Sequence, residues 1–510
     1  MSKDYINLSR AQELKNTKER LLYRFFETVS ALLSFGTLGF VFLFSWLAPA
    51  VIAVFIIIFD LYWLLKITYL AFHQIISWRQ MKKNLEIDWL EKIKRLPARN
   101  WQEIYHLIIL PMYQEGAEVV EPTLQSLVDV AYPKEKMIVV LATEERAGTV
   151  AQKTAEEMKK KFGSKNFRFL VTVHPKDIAG EIAGKGSNEA WAAAYAKKEV
   201  IDKLSIPYKN VIVSGFDIDT KPEPQYFSCL TWHYLTAENP LRASYQPIPV
   251  YNNNIWSAPA FSRVISTSGT FWQMMQQERP EQLVTYSAHS MSFKTFLEVG
   301  YPRNIVADDS HIFWKSFLYY NGDYRVIPLH YPVSMDAVLA KNLFRTALNQ
   351  YRQQRRWAWG CVEVPYLLYG FLKNKKISLW EKIRHSLIVI EGFWSWATAA
   401  LLIFFLGWLP LTLGGEGFNT TMLSYNLPRV TSYIMTTAMI GMIVSAIISQ
   451  LILPPQPSRY SRWKKLSMAL QWLLLPVTLI VFGTFPALDA QVRLMLGNYL
   501  GFWVTEKVRR

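Results

Sequence analysis

Between Thr28 and Phe72 the chain is almost uninterrupted hydrocarbon, with Pro49 near its middle. A run of this length supplies two spans of about 20 residues each, and in a bilayer its backbone polar groups find partners only inside helices. The stretch therefore predicts a transmembrane helical hairpin over 28–72 that turns at Pro49. The preceding 1–27 read as a polar tail, "MSKDYINLSRAQELKNTKER" being mixed in charge. No small-residue cleavage pattern follows the apolar run, so it is expected to stay in the membrane. Composition agrees: 51% hydrophobic and 15% aromatic residues are high for a soluble enzyme, and 510 residues exceed one ordinary domain.

The net charge of +16 fits nucleic acid or membrane equally well until the position of the charges is considered. Arg10, Lys15, Lys18, Arg20 and Arg24 precede the hairpin, and Arg79, Lys82, Lys83, Lys92, Lys94, Arg95 and Arg99 follow it. Basic flanks at both ends place both ends in the cytoplasm, which makes the bilayer the partner and leaves no role for nucleic acid. Residues 73–383 are then a cytoplasmic domain, and 384–510 hold further helices and a basic tail. Apolar segments near 386–411, 430–453 and 467–487 are separated by a nearly uncharged external loop (Gly414 to Pro428) and a cytoplasmic one bearing Arg459, Arg462, Lys464 and Lys465. The tail either returns to the cytoplasm as a re-entrant or interfacial segment or leaves its few charges outside; its basic end favours return. These features predict an integral protein of a bacterial plasma (inner) membrane. Asp60, inside the second span, reads either as a functional carboxylate or as one paired with a neighbouring polar group. Cys229 and Cys361 have no partner at metal-ligand spacing and read as packed thiols.

The cytoplasmic block alternates between two patterns. "YHLIILP", "KMIVVLAT", "FRFLVTVHP" and "NVIVSGFD" are short runs rich in Ile and Val, while "VVEPTLQSLVDVAY", "TVAQKTAEEMKKKFG" and "GSNEAWAAAYAKKE" have helical composition. Such alternation predicts an α/β, Rossmann-like parallel sheet covered by helices, with ligands bound at the carboxyl ends of the strands. Asp217 and Asp219 fall at such an end, with no cation before Lys221. Two carboxylates so placed repel each other unless a positive partner arrives. Mg²⁺ or Mn²⁺ carried by a phosphate-bearing ligand supplies one; the alternative is a solvated turn.

Other candidates follow the same order along the chain. Pro111, Tyr113 and Glu115 end the first strand and suit stacking on, and hydrogen bonding to, a base. Lys185 and Asn188 open a helix within "GKGSNEA", where glycines permit close approach to phosphate. Further on come Asp308 and Asp309 in "VADDSHIFWK", and Gln353, Arg356 and Trp357 in "NQYRQQRRWAWG".

Taken together, these motifs resemble the membrane-bound, processive members of glycosyltransferase family 2, the cellulose and hyaluronan synthases among them. "FDID" resembles their D-x-D, "ADD" their acidic base element and "QQRRW" their Q-x-x-R-W; the likeness covers residues of about 104 to 360. It implies a GT-A cytoplasmic domain and an inverting, metal-dependent hexosyl transfer. In that scheme Asp219 binds the ion and Asp217 shares the metal or contacts the nucleotide. Asp309 is the general base, with Asp308 orienting it or bonding backbone. Arg356 stabilises pyrophosphate charge, Trp357 forms a platform for the acceptor, and Gln353 faces the same site. Two departures stand out: Glu144 and Glu145 replace the aspartate many relatives use for the base, and Ala307 and Asp308 replace Thr and Glu. The implied partners are a nucleotide sugar donor, a carbohydrate or lipid-linked acceptor, the bilayer, and export or regulatory subunits. A non-processive enzyme acting on lipid, and an inactive scaffold or transporter subunit, are the rival readings. Three features have ready structural explanations: the aromatic stretch from Tyr251 to Gln277 as packing, His289 as a satisfied buried histidine, and Arg345, Arg352 and Arg355 as contacts to lipid headgroups.

Overall fold

The computed structural model describes residues 4–97, 100–165, 167–461, 463–506 and 509. Arg99 and Arg462 of the topology argument lie outside the described residues, and of the four basic residues from 491 onward only Arg493 and Arg509 lie inside them.

Helices α1 (Thr17–Leu47) and α2 (Pro49–Leu85) form the hairpin, with Ala48 alone between them. The Asn16 side chain accepts from the N–H groups of Lys18 (2.9 Å) and Glu19 (3.3 Å), starting α1 well before the hydrocarbon run. Pro49 occupies the first position of α2, where its missing N–H leaves no helical bond unmade. Asp60 is buried within α2, and its Oδ1 has no hydrogen-bond partner among the described residues.

The α/β domain begins with β1 (Tyr105–Pro111), α3 (Ala117–Asp129), β2 (Met137–Glu144), α4 (Gly148–Phe162), β3 (Arg168–His174), α5 (Lys185–Ala196) and β4 (Val211–Gly215). Its strands are parallel in the order β3-β2-β1-β4. Alternation within each strand feeds two cores. Ile108, Leu110, Val139 and Leu141 pack with α3, α4 and α6 (Tyr226–Thr236), whereas Leu107, Ile109, Ile138 and Val140 pack with α5 on the other face. Burial on both faces explains why these strands read as continuous apolar runs.

The parallel sheet expected from the sequence is only half of the sheet present. Beyond β4 come β7 (Ser290–Ser292), β6 (Ala243–Val250), β8 (Arg325–Ser334) and β5 (Lys221–Pro222), giving the order β3-β2-β1-β4-β7-β6-β8-β5. β7 is antiparallel to β4 and β6, and β8 is parallel to β6. Pro247, Pro249, Pro328 and Pro332 sit in β6 and β8, and the register shifts between Gln246 and Ile248. Proline removes a ladder donor, so such segments do not look like central strands.

Helices α7 (Ala260–Gln277), α8 (Asp308–Tyr319) and α9 (Leu343–Ala358) complete the domain. The aromatic stretch therefore contains α7, whose Phe271 stacks on Trp472 at 5.6 Å, a packing role. Two long apolar helices follow, α10 (Leu379–Phe404) and α11 (Met422–Leu451). Gly441 lets α11 lie directly on α2, because a Cβ there would stand 2.5 Å from Ile67 Cγ2.

The last apolar stretch, Trp463–Leu496, is also long and apolar enough to cross a membrane and ends in α12 (Phe485–Leu496). It is a broken helix, and both of its halves bond to the α/β domain. Gln471 accepts from Arg263 of α7, and Asp489 accepts from Arg355 of α9 at 2.9 Å. Near its end, Arg24 of α1 donates to the carbonyls of Leu494 (3.2 Å) and Met495 (2.7 Å). From there the chain runs back across the α/β domain.

Candidate active site

The acidic turn after β4 is shaped by alternation. Phe216 and Ile218 are buried in the apolar core, which turns Asp217 and Asp219 to the opposite side. Asp217 accepts the N–H of Thr220 through its carbonyl at 2.8 Å, closing the turn. Asp219 is 1% exposed; its Oδ2 accepts from the backbone N–H of Asp336 at 2.9 Å and its carbonyl accepts from Asn253 Nδ2 at 2.9 Å.

Lys185, at the start of α5, links this turn to α8. Its Nζ lies 3.0 Å from Asp217 Oδ1 and 2.8 Å from Asp309 Oδ1, with Glu189 Oε1 at 3.8 Å. Burial by itself would lower the ammonium pKa, but the surrounding carboxylates, Asp217 and Asp309 foremost, hold it well above its usual value. Lys185 is thus a fixed cation. Gly186 makes this approach possible, since a Cβ there would meet the Pro302 carbonyl at 2.5 Å and Asp308 Cβ at 3.0 Å.

Asp308 and Asp309 occupy the first turn of α8, where the helix dipole favours negative charge. Their surroundings differ. Asp309 keeps a quarter of its side chain exposed (26%), and its carbonyl accepts from Thr285 Oγ1 at 2.6 Å. Asp308 is buried, its Oδ2 has no hydrogen-bond partner among the described residues, and burial followed by repulsion from Asp309 pushes its carboxyl well above the usual range. One carboxylate therefore faces the site and the other is disposed to hold a proton. His289 Nδ1 donates to the Tyr286 carbonyl at 3.1 Å and stands 3.8 Å from Asp309 Oδ1. Burial pulls its pKa down to about 4 against the opposing charge of Asp309, so the ring is neutral at physiological pH, a satisfied buried histidine.

The nucleotide-side candidates divide. Glu144 pairs with Arg146, whose guanidinium lies 4.7 Å from the ring centroid of Tyr113. Glu115 accepts from the Tyr113 N–H at 2.7 Å, and Pro111 pairs with Ala142 across β1 and β2. These residues form one group at the end of β1 and β2. Glu145 is exposed and accepts from the Lys176 N–H at 3.1 Å, away from that group. Asn188 is fully buried and donates to the Ala142 carbonyl at 2.7 Å, bracing α5 against β2.

On α9, Gln353 accepts from Gln350 at 3.2 Å and Trp357 lies 6.3 Å from the ring of Tyr251. Arg356 packs on Phe502 at 5.1 Å, and its Nε is buried without a hydrogen-bond partner among the described residues. The other arginines do not match the headgroup reading as a set. Arg355 bonds Asp489 and Arg352 packs on Trp503 at 5.5 Å, because the C-terminal segment covers this flank of the helix; Arg345 stays exposed at the first turn.

Several residues at the site escaped the sequence reading. Glu189 is buried beside Lys185, and burial raises its carboxyl to about 7; its i+4 spacing from Lys185 was the available signal. Asp336 braces Asp219 and is itself held by Arg509 Nη2 at 3.0 Å. Residues 502–506 lie against the site: a Cβ on Gly184 would stand 2.6 Å from the Phe502 ring, and Asn349 donates to Glu506 at 3.3 Å. Nothing local in "GFWVTE" links it to residues so distant in sequence.

Four parallel strands ending in an acidic turn, extended by an antiparallel strand beside that turn, make this a mixed α/β domain joined to helices of membrane-spanning length. No known family and no curated protein matches the chain. Solved structures similar to it include the mannosyltransferase PcManGT from Pyrobaculum calidifontis in complex with GDP-Man and Mn2+, at 14% identity and a TM-score of 0.40 over 86% of this chain and 100% of that one. S. aureus TarS 1–349 in complex with UDP-GlcNAc aligns at 12% identity and a TM-score of 0.38 over 70% of this chain and 94% of that one. GalNAc-T7 with UDP, GalNAc and Mn2+ aligns at 11% identity and 0.33 over 57% of each chain. Likeness at this level says nothing of what this chain binds.

Among the described residues no three His, Cys, Asp or Glu side chains converge as a metal cage. Asp217 and Asp219 alone are the donor number that Mg²⁺ or Mn²⁺ takes when phosphate oxygens and water complete its shell, so the donor set fits an ion that arrives with a diphosphate.

Proposed function

We propose that this chain is a membrane-embedded, metal-dependent inverting glycosyltransferase of family 2, moving a sugar from a nucleotide sugar to a growing polysaccharide at the cytoplasmic face of a bacterial inner membrane. The observation that carries this reading is the Lys185 ammonium, within 3.0 Å of both Asp217 and Asp309. It joins the carboxylates of donor binding to the one carboxylate suited to act as base.

In this scheme Asp217 and Asp219 hold Mg²⁺ or Mn²⁺, which supplies Lewis-acid neutralisation of the diphosphate. Tyr113, held by Glu115 at its N–H and flanked by the Glu144–Arg146 pair, receives the nucleobase. The acceptor hydroxyl oxygen attacks the anomeric carbon while its proton passes to Asp309. The bond to the diphosphate breaks on the opposite face, and its electron pair leaves with the nucleoside diphosphate, inverting the centre. Lys185 has a further part here. A bound diphosphate competes for the ammonium that otherwise neutralises Asp309, so donor binding itself frees the base. Arg356 adds positive charge and Trp357 with Tyr251 offers an apolar face to the acceptor. Basic residues on both flanks of the hairpin support the cytoplasmic orientation, and the Q-x-x-R-W helix α9 favours a polymer over a lipid acceptor.

Nucleoside diphosphate release tests the proposal. Full-length protein in nanodiscs is given UDP-, GDP- and TDP-sugars with Mg²⁺, Mn²⁺ or EDTA. Metal-dependent release from one donor, abolished by Asp309→Asn, is expected; no release from any donor with any candidate acceptor would favour an inactive scaffold.

A further inference from the structure

We infer that the chain carries a second ligand site, a phosphate-binding pocket for a lipid headgroup, at the junction of α7, α9 and the connection that follows α11. A cavity of about 310 Å³ opens there, at the lower end of the range for small-molecule sites. Its wall includes Arg263, Lys341 and Lys464, and none of its lining residues is acidic. It shares no residue with the site around Asp309.

The charge pattern points to an anion. Arg263 is 3% exposed, yet it donates to the Gln471 side-chain carbonyl and to the Ala258 backbone carbonyl (2.6 Å), both neutral oxygens. A buried guanidinium normally faces a carboxylate or a phosphate. Burial pulls its pKa down to about 10, the direction expected for a guanidinium taken out of water without a carboxylate partner. Lys464 reaches the same cavity from the connection after α11, bringing like charge towards Arg263. An anion in the pocket would offset the repulsion between Arg263 and Lys464, the latter's ammonium packing, among the described residues, only on the ring of Tyr460 at 5.6 Å. Ala260, in the first turn of α7, also lines it, and no side chain caps that helix start. The positive end of an 18-residue helix therefore adds to the field.

The rim points to a lipid as the source. Leu343 lines the cavity and is 65% exposed, Phe344 beside it is 76% exposed, and Trp463 next to Lys464 is 76% exposed. Large apolar side chains around a cationic pocket, in a chain with helices of membrane-spanning length, match the headgroup level of a bilayer, where Trp collects and Lys and Arg meet phosphate. The phosphate would enter the pocket and the acyl chains would lie along Leu343 and Phe344.

The inference does not depend on glycosyl transfer, and its test reads binding alone. Full-length protein is delipidated in detergent and offered dioleoylphosphatidylglycerol, dioleoylglycerol or inorganic phosphate, with retained ligand read by native mass spectrometry and stabilisation by thermal unfolding. Wild type should retain the phospholipid and not the diacylglycerol, and Lys341→Gln/Lys464→Gln should lower retention at least tenfold. Arg263→Gln is a second variant, interpreted only if its unfolding profile stays cooperative. Stabilisation by inorganic phosphate that the double variant loses, without phospholipid retention, would keep the phosphate site and assign it to a free anion. Equal retention by wild type and double variant, with no phosphate effect on either, would overturn the proposal.

Discussion

Lys185 Nζ lies 2.8 Å from Asp309 Oδ1, a contact that joins the start of α5 to the start of α8 across 124 residues of chain. The same nitrogen holds Asp217, so the candidate base and the acidic turn are electrostatically one unit. Losing that ammonium should affect both.

Lys185→Met is expected to lower nucleoside diphosphate release by about 10²–10³-fold, the usual cost of removing one preorganised electrostatic partner. It should also destabilise the domain by about 1–3 kcal/mol, because Asp217 and Asp309, each about a quarter exposed, lose their counter-charge. Unchanged thermal unfolding of the variant would show that Lys185 is not the buried partner described here.

Asp309→Asn removes the proton acceptor while keeping volume and polarity. Release should fall by at least about 10²-fold with donor affinity nearly unchanged. Asp219→Ala should do the reverse, weakening Mn²⁺-dependent donor binding as read by calorimetry. Equal effects of the two variants on donor binding would contradict the division of roles.

Glu189 provides a pH signature. Burial raises its folded carboxyl to about 7 from the ordinary 4.5, so the protonated form is favoured in the folded protein. A raised folded pKa contributes stability at low pH that is lost as pH rises through the folded value. Wild-type thermal stability should therefore decline between about pH 4.5 and 7 relative to Glu189→Gln. Parallel profiles for the two proteins would remove Glu189 from the account.

Phe502 lies over both Gly184 and Arg356. A cation–π contact contributes about 1 kcal/mol, so Phe502→Ala should reduce turnover roughly fivefold by releasing Arg356, and Phe502→Tyr should not. Equal turnover in all three proteins would mean that Arg356 is positioned without the ring.

Gly186→Ala tests the packing that brings Lys185 and α8 together. Its Cβ would meet a backbone carbonyl, which no rotamer change relieves, and about 1–3 kcal/mol of destabilisation is expected. A variant as stable as wild type in denaturant unfolding would show that α5 and α8 have room to move apart.

What the sequence by itself determined is what local pattern can encode. Uninterrupted apolar runs require helices in a bilayer, and Ile- and Val-rich runs alternating with helical composition yield β1 to β4 with α3 to α5 between them. The candidate site residues Asp217, Asp219, Asp309 and Arg356 could be singled out because each stands in a short motif. Tertiary structure alone decided the rest. The proline-bearing β6 and β8, and the two- and three-residue β5 and β7, are strands only because neighbouring edges hold them. Glu145 and Asn188 share motifs with site residues, yet hydrogen bonds to Lys176 and Ala142, 31 and 46 residues away, hold one outward and the other in the core. The approach of Arg509 to Asp336 joins positions 173 residues apart, and no periodicity in the chain records it. Such contacts arise when packed surfaces close long loops, and the information for them is spread over every residue that shapes those surfaces.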